Sequence, residues 1–320
     1  MRGHPHTASP RAMDARARED WSRIHNVDQR APVVRVAHAC IDARDATGVE
    51  RGDDGCGRRT GVVEVAQRGS SSSAFVADTS TVIWPMSAAL ATAFCDATQG
   101  ARDGGVDDLD ARADAGRAET CAAARDLVVT ARTRIVELGA GLGLLGIVLA
   151  RIGARRVTIT DANVTLLAEN VAASGGERAE CARLVWASPH DGKEWEDVCA
   201  FARAYEESND GELPHLIVGT DVMYSQSRET CRALAHTMAR LADEHTVVII
   251  GFEDRGDWGQ VAAFFEYAED AGLYGDGEPF GEDEDDWLLI RLSKRRPDAN
   301  AVATTAVARD DASRDVSEHA

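Results

Sequence analysis

Two rhythms of apolar and polar residues run along this chain. PVVRVAH (32–38) and GVVEVAQ (61–67) alternate the two kinds, the period of a strand with one buried face. The charged, glycine-rich stretch between them predicts a small N-terminal β-hairpin with a loose connection. VIWPMSAALATAFCDA (82–97) has the Ala/Leu content and spacing of a helix that begins near Pro85, where a proline suits the first turn. From Thr133 onward, short apolar runs alternate with longer segments of helical period. RIVEL, RVTITD, ARLVWA, PHLIVGTDVMY and TVVIIGFE read as strands. LGIVLARIG, NVTLLAENVAASG, SRETCRALAHTMARLAD and GQVAAFFEYAEDAG read as helices, and DWLLIRLSK as a closing strand. Such alternation implies an α/β fold, a mostly parallel sheet with helices on both faces.

The remaining segments divide around that block. Residues 31–80 hold the hairpin and 81–294 the main domain, while 1–30 and 295–320 are polar and expected to be disordered. Residues 99–126, rich in Ala, Asp, Arg and Gly, read as a low-complexity surface insertion. The acidic stretch 281–286 reads as a solvated turn. With 44% hydrophobic and 28% charged residues, the 320-residue chain has enough apolar material for a packed core. Its net charge of −19 argues against nucleic acid as the main partner, because phosphates need a basic face, and leaves a basic protein open. The seven cysteines are scattered, odd in number and without a CxxC pair. That disfavours a disulfide framework or zinc site and fits a reducing compartment, the cytoplasm or the nucleus. His190 and His215 lack ligand spacing, so no metal is expected. No run of 18 apolar residues marks a membrane span. The expectation is a monomer that meets neither membrane nor nucleic acid.

Candidate chemistry begins at RIVELGAGLGLLGIVLARIGA (134–154), a glycine turn between a strand and a helix. A dinucleotide fingerprint wants glycine at the first, third and sixth positions, and counted from Gly139 the sixth is Leu144. Here glycines stand at Gly139, Gly141 and Gly143, with Glu137 two residues ahead. This is the E-x-G-x-G-x-G pattern of S-adenosylmethionine sites. That ligand has no pyrophosphate but carries an ammonium and a sulfonium, which an acidic side chain at the strand end suits. Asp161 ends the next strand, 22 residues after Gly139, where a carboxylate can accept from both ribose hydroxyls. Ala140 and Ala162 belong to the same two turns. The plainer alternative is that the glycines only permit close packing.

A second constellation, GTDVMYS (219–225), closes the fourth strand. Ligands of open parallel sheets sit beyond the carboxyl ends of the strands, so Asp221 and Tyr224 are expected in the same crevice as the glycine turn. An aspartate there also suits a helix N-cap. Taken together, VELGAGLGLLGIVLA, VTITDAN, LVWAS and HLIVGTDVMYS resemble the seven-β-strand protein-lysine methyltransferases of the methyltransferase-like group. The group's D-x-x-Y motif is matched by Asp221–Tyr224, and VIWPMSAALA resembles its tryptophan-containing segment. GFEDR and FFEYAEDAGL resemble the stretch after its fifth strand. The resemblance covers about 82–292. It implies a Rossmann-like seven-stranded sheet whose last strand is antiparallel. It also implies S-adenosylmethionine as cofactor and a protein substrate with an accessible lysine. Trp84 would lie against the cofactor, Trp186 would border its adenine, and Gly219 and Thr220 would contribute at the strand end. Asp221 would orient the amine and Tyr224 would line its channel. The group usually has alanine or serine where Gly219 and Thr220 stand, and acidic-Trp-Gly where Val185, Trp186 and Ala187 stand. A small-molecule or histidine methyltransferase on the same sheet, or a non-catalytic cofactor-binding module, remain the alternatives.

Overall fold

The computed structural model describes residues 33–38, 48–51, 59–67, 83–103, 126–224, 226–255, 258–280 and 287–296. The expected arm at 1–30, most of the insertion at 99–126, the acidic turn at 281–286 and nearly all of the tail lie outside them.

The strongest apolar runs sit at the centre of the main sheet. Strand β4 (Arg134–Leu138) is buried at every position, and β7 (Leu216–Thr220) at all but the last. They pair in parallel with each other and with β5 (Arg156–Asp161) and β8 (Val247–Glu253) on either side. Strand β6 (Ala179–Arg183) forms one edge. On the other side β10 (Trp287–Ser293) runs antiparallel between β8 and β9 (Tyr274–Pro279). The seven strands lie in the order β6-β5-β4-β7-β8-β10-β9. From β4 the chain moves outward through β5 and β6, then returns to place β7 on β4's other side. The order therefore reverses between β4 and β7, the place where such sheets open a crevice for ligands.

Strand alternation sends side chains to two cores. Ile135, Val218 and Ile249 pack with helices α1 (Pro85–Asp103), α2 (Leu144–Arg151) and α3 (Thr165–Asn170) on one face. Val136, Leu138, Ile217, Val248 and Ile250 pack with α4 (Lys193–Ser208), α5 (Arg228–Leu241) and α6 (Trp258–Asp270) on the other. Pro85 does open α1.

A separate three-stranded sheet, in the order β1-β3-β2, comprises β1 (Val33–His38), β2 (Gly48–Arg51) and β3 (Arg59–Ala66). It extends the expected hairpin by a strand drawn from the connection. It is fastened to the main domain through the end of α3, where the helix widens into a π-turn at Val171–Gly175. The Asn170 side chain accepts from the Ala66 N–H at 3.0 Å and donates to the Ala66 carbonyl at 3.0 Å. It also donates to the Leu142 carbonyl in the glycine turn at 3.1 Å. The Ser174 hydroxyl donates to the Glu64 carbonyl at 2.6 Å.

Three elements differ from the sequence expectation. Helix α4 was not expected, because its only buried positions are Val198, Ala202 and Tyr205 in an otherwise polar segment. Strand β9, YGDGEP, has no buried residue and two glycines, and exists through its pairing with β10. The third main-sheet strand is AECAR rather than ARLVWA: the chain leaves the sheet after Arg183, and Leu184, Val185 and Trp186 turn to the crevice.

Candidate functional site

At the carboxyl ends of β4, β5 and β7 lies a cavity of about 500 Å³, in the size range of small-molecule sites. Its floor is the glycine turn. Gly139, Gly141 and Gly143 all have positive φ (64°, 55° and 82°). The Ala140 N–H donates to the Thr160 carbonyl at 2.9 Å, pinning the turn to the neighbouring strand. Gly139 shows why no side chain fits: a Cβ would lie 2.7 Å from Trp186 and 2.9 Å from Val222. Asp161, at the end of β5, lines the cavity and accepts from the Gly141 N–H at 2.9 Å and the Asn163 N–H at 2.9 Å. A carboxylate has lone pairs left for two hydroxyls after those bonds. Ala162 lies beside it, and Leu184, Val185 and Trp186 add an apolar wall.

Two residues of the glycine motif expected at the cofactor, Glu137 and Gly143, do not line the cavity. Glu137 shares the face of Ile135 and points beneath α2, with 1% of its surface exposed. Its Oε2 accepts from the Gly146 N–H at 2.9 Å. A Cβ on Gly146 would stand 2.4 Å from that oxygen, so this fourth glycine is what lets the carboxyl approach the helix backbone. Burial pushes the Glu137 carboxyl up to about 8. Gly143 caps α2, and a Cβ there would meet Leu167 at 2.5 Å, so it serves the packing of α2 on α3. Gly219 likewise stays in the sheet, where an added Cβ would lie 3.2 Å from the Leu138 carbonyl oxygen, while its neighbour Thr220 lines the cavity.

The opposite wall is made by the turn after β7 and the start of α1. Asp221 has φ +52°, a left-handed backbone that costs a residue with a side chain about 1–2 kcal/mol. The turn is held by the Asp221 N–H donating to the Gly251 carbonyl (2.8 Å) and the Tyr224 N–H to the Asp221 carbonyl (3.0 Å). Asp221 is no helix cap; Ser227 caps α5, accepting from the Thr230 N–H. The Asp221 Oδ1 accepts from the Glu253 N–H at 2.9 Å and from Arg255 Nη1 at 3.3 Å. Its Oδ2 is buried with no hydrogen-bond partner. Burial raises the Asp221 carboxyl above the usual range, with Arg255 and the Glu253 N–H opposing. Trp84 and Tyr224 both line the cavity, their rings 5.2 Å apart and tilted by 51°.

Arg255 was not singled out in the sequence. Its guanidinium lies 4.7 Å from the Trp84 ring and 4.4 Å from the Tyr224 ring, contacts worth about 0.5–2 kcal/mol each. It also pairs with Glu253. Its place in GFEDR, just past a strand's carboxyl end, was the available signal. Asp191 and Glu229 also line the cavity without having been expected, and nothing in their spacing marks them.

Four carboxylates (Asp161, Asp191, Asp221 and Glu229) and no lysine or arginine line the cavity among the described residues. Such a lining suits a cationic occupant and offers nothing to a pyrophosphate. The cradle that only glycine fits and the leftover Asp221 oxygen are both consistent with S-adenosylmethionine beside an amine. Among the described residues, no three His, Cys, Asp or Glu side chains are grouped to hold a metal ion. No helix there is long and apolar enough to cross a membrane.

A sheet of this order with a reversed β10, and a glycine turn at its switch point, define a Rossmann-like seven-strand methyltransferase fold. The model of the lysine methyltransferase family matches residues 73–271, more than half of the chain, and the chain belongs to that family. It is 32% identical over 123 residues to the zebrafish (Danio rerio) protein N-lysine methyltransferase METTL21A, covering 37% of this chain and 48% of that protein. The chain thus spans about half the length of that curated relative. Among solved structures, it is similar to a TehB-like SAM-dependent methyltransferase from Corynebacterium glutamicum, with 18% identity, a TM-score of 0.38, and coverage of 62% of this chain and 94% of that one. It is also similar to a magnesium protoporphyrin IX methyltransferase from Synechocystis with bound SAH, with 14% identity, a TM-score of 0.37, and coverage of 59% and 94%.

Proposed function

We propose that this protein transfers the methyl group of S-adenosylmethionine to the ε-amine of a lysine in another protein, acting as a monomer in the cytoplasm. The observation that carries the reading is Asp221: a buried carboxylate at the cavity wall, one oxygen saturated and the other without a partner, beside two aromatic rings. Membership of the lysine methyltransferase family supports it. None of the described cysteines, Cys95, Cys181, Cys199 and Cys231, is joined in a disulfide, which suits a reducing compartment.

Bound S-adenosylmethionine would supply a methyl group made electrophilic by its sulfonium. Asp161 would accept from its ribose hydroxyls. The backbone from Gly139 to Gly141 would receive it closely, and Trp186, Leu184 and Val185 would border its adenine. A lysine arrives as an ammonium with an ordinary pKa of about 10.4 and attacks only as the neutral amine. The Trp84 and Tyr224 rings form a poorly solvating wall, which favours loss of that proton to water before transfer. Asp221 Oδ2 then accepts an N–H of the neutral amine and leaves its lone pair for the methyl group. Fixing the amine in line in this way contributes several kcal/mol, within the ~7–11 kcal/mol available from positioning.

The test is incubation with methyl-labelled S-adenosylmethionine and a cell extract, followed by mass spectrometry of the labelled residue. Label on lysine is expected. Label confined to small molecules, RNA or histidine would overturn the proposal.

A further inference from the structure

Three separate segments meet at the acceptor wall: Trp84 just before α1, the Asp221–Tyr224 turn after β7, and Glu253 at the end of β8. One planar cation faces them all. The Arg255 guanidinium lies over both rings, bonds Asp221 Oδ1 and pairs with Glu253, and it is largely shielded, at 21% exposure. Arg255 does not itself line the cavity, whereas Trp84, Asp221 and Tyr224 do. It therefore sits behind the wall that an acceptor would touch. A guanidinium can stack on flat rings while forking to two carboxylates in its own plane, which an ammonium cannot.

We infer that Arg255 is a positioning residue for the acceptor amine, fixing Asp221, Trp84 and Tyr224 in the arrangement the amine meets. The inference rests on the lysine-directed reading of the site. By occupying Oδ1 with the Glu253 N–H, Arg255 leaves Oδ2 as the carboxylate's open acceptor. It also opposes the tendency of burial to protonate that carboxyl. A protonated Oδ2 would present an O–H where the amine's N–H needs an acceptor. Of the charged groups around Asp221, Arg255 bonds it directly and Glu253 acts through Arg255; its own turn adds the Tyr224 phenol, and the start of α1 adds the uncharged Trp84 ring.

Arg255→Met and Arg255→Lys test this through three measurements: the ¹³C carboxyl titration of Asp221, calorimetric binding of S-adenosylmethionine, and the pH profile of lysine methylation of extract protein. In Arg255→Met the cofactor should bind within about threefold of wild type, which also reports an intact fold, while methylation falls roughly 10²-fold. The Asp221 titration and the acid limb of the rate profile should move up together by about one pH unit or more. Arg255→Lys should bring both back toward wild type, because the charge is restored, while the rate stays about tenfold low, because the stack and fork are not. Wild-type protein that labels no lysine overturns the reaction reading. An unmoved Asp221 titration in Arg255→Met, or loss of cofactor binding in step with the rate, overturns the Arg255 assignment whatever the activity.

Discussion

The two walls of the cavity are built by different means. The β4–β5 side is mostly backbone: a glycine turn pinned by amide hydrogen bonds, with one carboxylate, Asp161, already engaged by two N–H groups. The β7–β8 side is mostly side chain: a strained aspartate, two rings and an arginine from separate segments. Backbone sites tolerate chemical change around them but not an added Cβ, whereas side-chain sites depend on protonation and on every partner. The first wall should therefore fail by steric exclusion of a ligand, and the second by loss of rate with the ligand still bound.

The largest effect should come from the second wall. Asp221→Asn keeps the shape but puts an amide N–H₂ or a weaker acceptor where the carboxylate stood. Methyl transfer should fall about 10³-fold with cofactor affinity nearly unchanged, as single-turnover kinetics and calorimetry will show. Equal loss in both would erase the distinction between the walls. Next comes Gly139→Val, whose Cβ would overlap Trp186 and Val222. Here cofactor affinity should drop about 10²-fold, and saturating cofactor should recover much of the rate. Asp161→Ala removes two hydroxyl acceptors and the Gly141 anchor, so cofactor affinity should fall roughly 10- to 100-fold in the same calorimetric assay.

The smallest effect concerns stability. The Glu137 carboxyl titrates near 8 in the fold, against 4.5 when free. Between those values the folded protein holds a proton that the unfolded chain lacks. The associated stability is therefore full below about 4.5 and is lost as pH rises through about 8. Glu137→Gln removes that dependence, and its melting temperature should exceed wild type at pH 8 by roughly 7–14 °C more than it does at pH 5. A constant difference across that range would show that Glu137 does not titrate as its burial implies.

Much of this was legible in the sequence, and the exceptions share a cause. The strands β4, β5, β7 and β8 are buried on both faces, and their short runs rich in Val and Ile announce them. Gly139, Gly141, Asp161 and the Asp221–Tyr224 pair came from spacing, and the fold brings them to one cavity at the switch point. Local pattern says nothing about features that partners create. YGDGEP becomes a strand because β10 is beside it, and LVWA is apolar because it bridges the cavity wall and the core beyond the sheet's edge. Glu137 matched the motif but lies on the strand face that α2 covers, a matter of which way one residue points in an alternating strand. Arg255 gains its meaning from two rings at positions 84 and 224, contacts that only the folded chain reveals.

One side-chain amide carries a further consequence. Asn170 pairs with both the N–H and the carbonyl of Ala66, the exchange that a neighbouring strand residue makes, and the same amide grips the Leu142 carbonyl. It acts as a one-residue strand grafted onto a helix end, splicing the N-terminal sheet to the floor of the cavity across 104 positions of sequence. The glycine turn is thus held in part through the N-terminal sheet. A change at the end of β3 has a direct mechanical route to how firmly the floor is held.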